Sequence, residues 1–187
     1  MRYFLKFYLV VSTWYWTFLA RVKIGCIGCV GKGFVAEGPI YLSAISGQIN
    51  IGEGVRLGPH VRFGVSRGAK IVVGDFVSIN QGTVLISVDS ISIGRDSRIG
   101  EYCSIRDNDH GWKDSKTPVR CQDFVVGRVV VGEDVWLGRG VVIGKGVNVA
   151  NKSVVGASSV VTKDTEEMSL SVGIPAKRIG YRTPNEG

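Results

Sequence analysis

The segment VGEDVW-LGRGVV-IGKGVN-VANKSV-VG, residues 131–156, repeats a six-residue unit that opens with an apolar residue and usually places glycine next. Fifteen such units lie between Ile51 and Val161, and ten carry glycine in second place, although only 26 of the 187 residues are glycine. One inward apolar side chain per short unit predicts an all-β fold, a parallel β-helix whose stacked coils share one core. The opening residues are Ile51, Leu57, Phe63, Val73, Ile79, Leu85, Ile93, Ile99, Ile105, Val131, Leu137, Ile143, Val149, Val155 and Val161.

Three units should form one coil of a three-sided prism, so that every fourth unit returns to the same side. The segments 48–52, 70–74, 90–94 and 128–132 support this, because each alternates inward and outward residues and ends in an aliphatic residue followed by glycine. We therefore expect four copies of one strand to stack in register. A less regular starting coil should begin at about Ile24.

The longest interruption of the repeat separates Ile105 from Val131 and adds twenty residues. Its first half contains the run Asp-Asn-Asp-His-Gly-Trp, residues 107–112, which is dense in groups able to bind or do chemistry. A regular solenoid tolerates long insertions, and they usually carry function. The pattern favours a functional loop at 107–127, and a solvated surface loop is the alternative.

Composition and charge restrict the class of protein. The length suits a single domain, and an apolar fraction of 44% is typical of a folded chain. The formal net charge of +7 favours an anionic partner, such as nucleic acid, a phosphorylated cofactor or a membrane surface. No nucleic-acid-binding signature is present, so we expect no nucleic-acid partner. Four irregularly spaced cysteines favour a reducing, cytoplasmic compartment.

The N-terminal 36 residues contain no carboxylate and several cations. Residues 7–20 are uncharged and rich in aromatic side chains, but this run is shorter than the roughly 20 residues needed to cross a bilayer. Residues 1–23 instead predict an amphipathic helix with a narrow polar face. It could be a lid over the first coil, a packing element between subunits, or an anchor lying on an anionic leaflet.

Three motifs resemble the hexapeptide-repeat acyltransferases, in the branch of maltose and galactoside O-acetyltransferases and polysaccharide O-acetyltransferases. They are VGEDVWLG at 131–138, VGASSVVTKD at 155–164 and GIPAK at 173–177, and the resemblance covers about residues 47–180. It implies a left-handed parallel β-helix, a homotrimer with active sites between subunits, and acetyl-CoA bound between neighbouring columns. The expected organisation is a helix at 1–23, the β-helix at 24–180 with an inserted loop at 107–127, and a tail at 181–187.

The resemblance implies an enzyme, a CoA-dependent O-acetyltransferase. The apolar, cationic N-terminal segment and the sequence of the loop favour a sugar hydroxyl of a surface polysaccharide, or of its lipid-linked precursor at the inner face of the cytoplasmic membrane, as acceptor. One alternative is an N-acetyltransferase acting on an amino sugar or an antibiotic. The other is a structural β-helix scaffold without catalysis.

Acetyl transfer to a hydroxyl needs a base, and imidazole suits neutral pH because its ordinary pKa lies near 6.5. The chain has two histidines, His60 and His110, and the resemblance places the catalytic one at His110. Asp107 or Asp109 could orient its ring or bind sugar hydroxyls, and Asp107 could instead stabilise the turn. Two histidines are too few for the three-histidine zinc site of a related fold, so we expect no metal.

The remaining site residues come from the resemblance. Asn80, which replaces a corner glycine, would bind the acceptor, and Trp136 would wall the active-site channel. The phosphates and pantetheine of acetyl-CoA would meet side chains and not a glycine-rich loop. The residues expected to bind this co-substrate are Arg139, Ala157, Thr162, Lys163, Lys177 and Arg178.

Overall fold

The computed structural model describes residues 2–43 and 46–183 and shows one helix followed by a parallel β-helix of about six turns. The helix α1 runs over Arg2–Gly25, and a short 3-10 helix covers Val119–Cys121. The strands in chain order are β1 (Gly28–Val30), β2 (Val35–Ala36), β3 (Tyr41–Ser43), β4 (Gln48–Ile51), β5 (Arg56–Leu57), β6 (Arg62–Val65), β7 (Lys70–Val73), β8 (Ser78–Ile79), β9 (Val84–Ser87), β10 (Ser90–Ile93), β11 (Arg98–Ile99), β12 (Ser104–Arg106), β13 (Asn108–His110), β14 (Phe124–Val126), β15 (Val129–Val131), β16 (Trp136–Leu137), β17 (Val142–Ile143), β18 (Asn148–Val149), β19 (Val154–Val155), β20 (Val160–Val161), β21 (Ser169–Gly173) and β22 (Ala176–Tyr181).

Three parallel sheets form the sides of the column. Sheet A has the strand order β1-β4-β7-β10-β15-β18, sheet B begins β2-β5-β8-β11-β16-β19 and continues into β21 and β22, and sheet C has the order β3-β6-β9-β12-β17-β20. In sheet A, Ile49 lies opposite Ile71, Ile71 opposite Ile91, and Ile91 opposite Val129. The predicted stacking of four equivalent strands in register is therefore confirmed.

The core is a continuous column of aliphatic side chains. Every one of the fifteen unit-opening residues is at most 2% exposed, which confirms their predicted inward direction. A second inward position holds valine or a small polar residue, and hydroxyl groups there donate to backbone carbonyls of the next coil. Thr83 Oγ1 donates to the carbonyl of Gly100, and Ser97 Oγ donates to that of Gly132, both at 2.9 Å. The buried polar groups at these corners are thereby satisfied.

The corners of the prism bring neighbouring coils into close contact. Gly82 has φ +69°, and a Cβ built on it would lie 2.4 Å from the ring of Tyr102 on the next coil. Only glycine combines this backbone conformation with room for the ring above it. Gln81 Nε2 donates to the Tyr102 hydroxyl at 2.8 Å and fixes that ring in place.

Helix α1 covers the open end of the first coil. Ala20 and Ile24 are buried in the core of the column. Thr17 accepts a hydrogen bond from the backbone N–H of Ala36 at 3.0 Å, and Arg21 donates to the carbonyl of Gly31 at 2.8 Å. Thr17 and Arg21 therefore face the protein, and this part of the helix has the position of a lid. Within the described residues, no helix has the length and apolar character needed to span a membrane.

Both ends of the predicted organisation extend further than expected. Helix α1 continues two residues past position 23, to Gly25. At the other end, β22 continues to Tyr181, and Arg182 Nη1 donates to the Asp134 carboxylate at 3.0 Å. Residues 184–187 of the predicted tail lie outside the described residues.

The packing at Gly82 can be tested against a glycine with the same backbone requirement but open space. Gly82→Ala should lower the free energy of unfolding by about 1–2 kcal/mol for the left-handed backbone and by about 1–3 kcal/mol more for displacement of Tyr102. Gly146→Ala is the matched control, because Gly146 has φ +75° and its added Cβ would meet nothing within 4 Å. Urea unfolding at one protein concentration measures both, and equal midpoints would contradict the proposed role of the tyrosine contact.

Candidate active site

The insertion at residues 107–127, hereafter the arm, is an ordered hairpin that projects from the end of sheet C. Strands β13 and β14 pair antiparallel, with Asp109 opposite Val125 and His110 opposite Phe124. The N–H of Gly127 donates to the carbonyl of Asp107 at 2.8 Å and closes the base of the arm. The predicted functional loop is thus a defined structural element with a fixed origin on the column.

Asp107 fastens the base of the arm to the preceding coil. Its fully buried carboxylate accepts hydrogen bonds from Ser87 Oγ at 2.7 Å, from the backbone N–H groups of Val88 and Asp89 at 2.9 Å each, and from Asn108 Nδ2 at 3.0 Å. Burial tends to raise the pKa of Asp107, but these donors outweigh it and hold the pKa below its ordinary value. These contacts favour the turn-stabilising role, because Asp107 makes no hydrogen bond to His110.

His110 lies on the arm with an exposed side chain. Its ring packs against that of Phe124, with centroids 4.7 Å apart and planes inclined by 45°. Among the described residues, no side chain or backbone group forms a hydrogen bond with this imidazole. The ring is therefore held by aromatic packing and strand pairing, and its nitrogens are free to meet a ligand.

Asp109 points to a different partner from the one expected. Its carboxylate accepts a hydrogen bond from Lys145 Nζ at 2.7 Å, which ties the arm to the coil that follows it. Beside this pair lies a cleft of about 440 Å³. Its lining consists of Asp109, Gly111, Trp112, Lys113, Asp114, Gln122, Asp123, Val125 and Lys145. Neither of the carboxylates predicted to orient His110 forms a hydrogen bond with its ring within one chain.

Three residues in and near the arm were not predicted from the sequence to belong to the site. Phe124 supports the ring of His110, Lys145 pairs with Asp109, and Gln122 Nε2 donates to the carbonyls of Asp114 at 2.8 Å and Thr117 at 2.7 Å. The hexad pattern carries no signal for Phe124 or Gln122, because both lie inside the insertion. Lys145 occupies an ordinary outward position of a repeat, and only the path of the arm brings it to Asp109.

The other predicted site residues lie at two separate edges of the column. Asn80, Arg139 and Ala157 follow strands of sheet B and precede strands of sheet C, at what we call the B–C edge. The arm, with Thr162 and Lys163, follows strands of sheet C, at what we call the C–A edge. The structure thus places Asn80 at one end of sheet C and His110 at the other, and does not bring them together within one chain.

Trp136 and the C-terminal cations lie on sheet B. Trp136 is 57% exposed and stands between Arg98 and Val154 on neighbouring strands. Lys177 and Arg178 lie on β22, where Arg178 Nε pairs with the Glu166 carboxylate at 3.0 Å.

Several cations remain available for a phosphorylated ligand. The exposed side chains of Arg139, Lys163 and Lys177 form no ion pair with any described residue, and the Arg139 guanidinium lies 5.7 Å from the centre of the Tyr102 ring. No group of three or more metal-ligating side chains occurs among the described residues. Guanidinium and ammonium groups without an ion-pair partner, at separate places along the column, suit an anionic, phosphorylated ligand.

A repeat-built column with a histidine-bearing arm defines the class of β-helical acyltransferases, and comparison with known proteins identifies the family. No protein-family model matches the chain. It is 34% identical over 148 residues, covering 75% of each chain, to the Escherichia coli K12 protein named "Putative lipopolysaccharide biosynthesis O-acetyl transferase WbbJ". The chain belongs to the hexapeptide-repeat acyltransferases, and its column is their left-handed parallel β-helix.

Solved structures agree with this fold. A variant of AntD, an N-acyltransferase from Bacillus cereus, was solved with dTDP-4-amino-4,6-dideoxyglucose and coenzyme A. It superposes with a TM-score of 0.73 at 22% identity over 87% of both chains. The polysialic acid O-acetyltransferase OatWY superposes with a TM-score of 0.70 at 22% identity over 86% of this chain and 79% of its own.

Replacing the buried carboxylate at the base of the arm tests its structural role. Asp107→Asn should lower the free energy of unfolding at neutral pH by about 1–3 kcal/mol, because an amide nitrogen replaces one carboxylate oxygen and each of these oxygens accepts from two donors. The folded-state pKa lies below the unfolded value of about 3.9, so the stabilisation is complete above that pH and is lost as the pH falls through the lower folded value.

The difference in unfolding free energy between wild type and Asp107→Asn should therefore narrow below about pH 4. Asp109→Asn is the matched control, because that carboxylate is exposed and its ion pair should contribute much less. Urea unfolding across acidic and neutral pH measures both variants. A difference that stays constant down to the lowest pH would contradict the assigned contacts.

Proposed function

We propose that the chain transfers an acetyl group from acetyl-CoA to a sugar hydroxyl, with His110 as general base. The observation that carries this proposal is the position of His110. Its exposed imidazole lies on an ordered arm in a family of acyltransferases, and its neighbours Asp109 and Gly111 line the cleft of about 440 Å³. Membership of that family also removes the alternative of a scaffold without catalysis.

The chemistry follows from the free nitrogens of His110. An alcohol attacks a thioester slowly until its proton begins to leave, and an imidazole within hydrogen-bond reach accepts that proton as the new C–O bond forms. The tetrahedral intermediate then collapses, the C–S bond breaks, and the proton passes to the departing thiolate of CoA. Phe124 positions the ring, and Lys145 and Asp109 keep the arm against the column.

Assembly as a homotrimer explains why the site residues occupy two edges. If the C–A edge of one column faces the B–C edge of the next, His110 of one copy meets Asn80 of its neighbour. A head-to-tail contact of this kind closes into a ring when the rotation allows it. Asn80 would then bind the acceptor, and Trp136 would wall the channel.

The co-substrate would lie in the groove between two such columns. We propose that Arg139 and Ala157 line the pantetheine path, that Thr162 and Lys163 lie near the adenine, and that Lys177 meets the phosphates. Arg178 joins Lys177 only if its ion pair with Glu166 opens or is shared. Several anionic groups on one ligand match several cations spaced along one surface.

The acceptor we favour is a surface polysaccharide or its lipid-linked precursor at the inner face of the cytoplasmic membrane. The name of the relative WbbJ, an O-acetyl transferase of lipopolysaccharide biosynthesis, supports a glycan hydroxyl. The second candidate is N-acylation of an amino sugar, which is the activity named for AntD. Mild base separates the two products, because it removes an acetyl ester and leaves an acetamide intact.

Removing the proposed base should abolish most of the activity. His110→Ala should lower kcat about 10²–10⁴-fold, the usual contribution of a positioned general base, with sugar and glycan acceptors and labelled acetyl-CoA. His60→Ala is the control, because His60 is the other histidine of the sequence, stacks on Tyr41 and lies in the second coil, two coils before the arm of the same chain. Transfer by His110→Ala at the wild-type rate would refute the assignment.

Phe124 should act only through the ring that it supports. Phe124→Ala should lower kcat about tenfold or more and leave the KM for acetyl-CoA near its wild-type value, since small displacements of a catalytic group are costly. Phe124→Tyr should restore most of the rate, and Val126→Ala, two residues along the same strand, should have little effect. A parallel loss in both alanine variants would show that the strand, and not the aromatic contact, matters.

A further inference from the structure

The outer face of helix α1 is apolar and aromatic. The rings of Trp14 and Phe18 stack with centroids 6.1 Å apart, and Trp14 is 71% exposed. A groove of about 450 Å³ runs beside this face. The exposed side chains, hereafter the outer stripe, are Val10, Val11, Trp14, Tyr15, Phe18 and Val22. Such a continuous apolar patch on a surface marks an interaction site.

The contacts of α1 with the column prevent the outer stripe from turning inward. Ala20 and Ile24 are fully buried on the opposite side, and the side chains of Thr17 and Arg21 bind the rim of the first coil. Rotating the helix would expose two core residues and break these hydrogen bonds. Thr17 and Arg21 are thus occupied by the protein, and the outer stripe is the side that the helix offers to a partner.

The charge around α1 indicates the chemistry of that partner. Residues 1–52 contain five lysines and arginines and one carboxylate, Glu37. Glu37 is already paired with Arg56 at 2.6 Å. The sequence segment that forms α1 and the first coil therefore carries a net positive charge, and Arg21, Lys23 and Lys32 are its described cations. A second copy of this chain would bring the same cations to a shared contact, whereas an anionic lipid surface neutralises them.

We propose that α1 lies in the headgroup region of an anionic membrane with its outer stripe buried among the acyl chains. Tryptophan and tyrosine are the side chains that favour this depth, and cations near the surface add to the attraction. The column then stands on the membrane with its first coil nearest the lipid. This surface accounts for the membrane location of the acceptor, a part of the inference that depends on the proposed function.

The stacking of the coils sets the distance between the membrane and the arm. The arm leaves the column after β12, in the fourth coil, and coils are spaced by about 4.8 Å. The base of the arm therefore lies about 14 Å farther from the membrane than the first coil. An acceptor attached to a lipid would present a sugar in its distal part, and not the first sugar on the lipid.

Vesicle sedimentation of the full chain tests the docking surface directly. Wild type should bind vesicles of phosphatidylcholine containing phosphatidylglycerol, and high salt should weaken binding. The double variant Trp14→Glu/Phe18→Glu should lose about tenfold or more of that binding, because two charges would enter an apolar layer. Met168→Glu is the matched control, since it places one charge on an exposed apolar residue of the last coil.

Circular dichroism and light scattering distinguish the competing results. Lost vesicle binding by a folded double variant of unchanged mass supports the proposal. Absence of vesicle binding by wild type overturns the proposal. If, in addition, the double variant forms a smaller assembly than wild type, the outer stripe contacts another copy of the chain. Acetyl transfer to a water-soluble acceptor is the separate readout of function. The rate of this transfer should be equal in wild type and the double variant. If wild type transfers no acetyl group, the proposed activity is refuted, whereas the proposed membrane contact is not.

Discussion

Stacking of equivalent aliphatic side chains from one coil to the next is the constraint on which this structure depends. Ile71 lies between Ile49 and Ile91 in sheet A, and parallel hydrogen bonds link the strands that carry them. A one-residue slip would turn the entire inward set toward solvent. Because the register is fixed so strongly, the column can support an insertion at one corner without losing its own geometry.

The arm uses this rigidity at its base. Asp107 takes three of its hydrogen bonds from the turn that joins the third and fourth coils, and Arg128 Nε reaches Asp89 in the same turn at 2.9 Å. Both ends of the insertion are thereby clamped to one short segment. Because both ends of the arm are anchored, the contact with Phe124 is enough to fix the position of the His110 imidazole. The site is built from the core outward.

The repeat predicts most of the fold because the apolar residue that opens each six-residue unit sets both the core and the register of the strands. The inward residues, the stacked strands of sheet A and the existence of an N-terminal helix could all be read from spacing. The partners of Asp107 and Asp109 could not, because both aspartates occur in the same short motif and their surroundings come from other coils. Lys145 lies 36 residues from Asp109. A helical wheel of the N-terminal segment separates a polar from an apolar face but does not show which face contacts the column. Thr17 and Arg21 bind backbone groups of the first coil, and these partners leave no pattern in the sequence.

The two ends of the column are closed by different means. Helix α1 covers the first coil, whereas after the last strand of sheet C the chain crosses the last coil, where Asp164 accepts from the N–H of Asn148 and Thr165 from that of Ala150. Unpaired strand edges at the ends of a solenoid are templates for end-to-end fibre growth. With both ends covered, the strand edges at the ends of the column are not open for pairing with a second copy. Growth of a continuous β-sheet fibre along the column axis is therefore disfavoured.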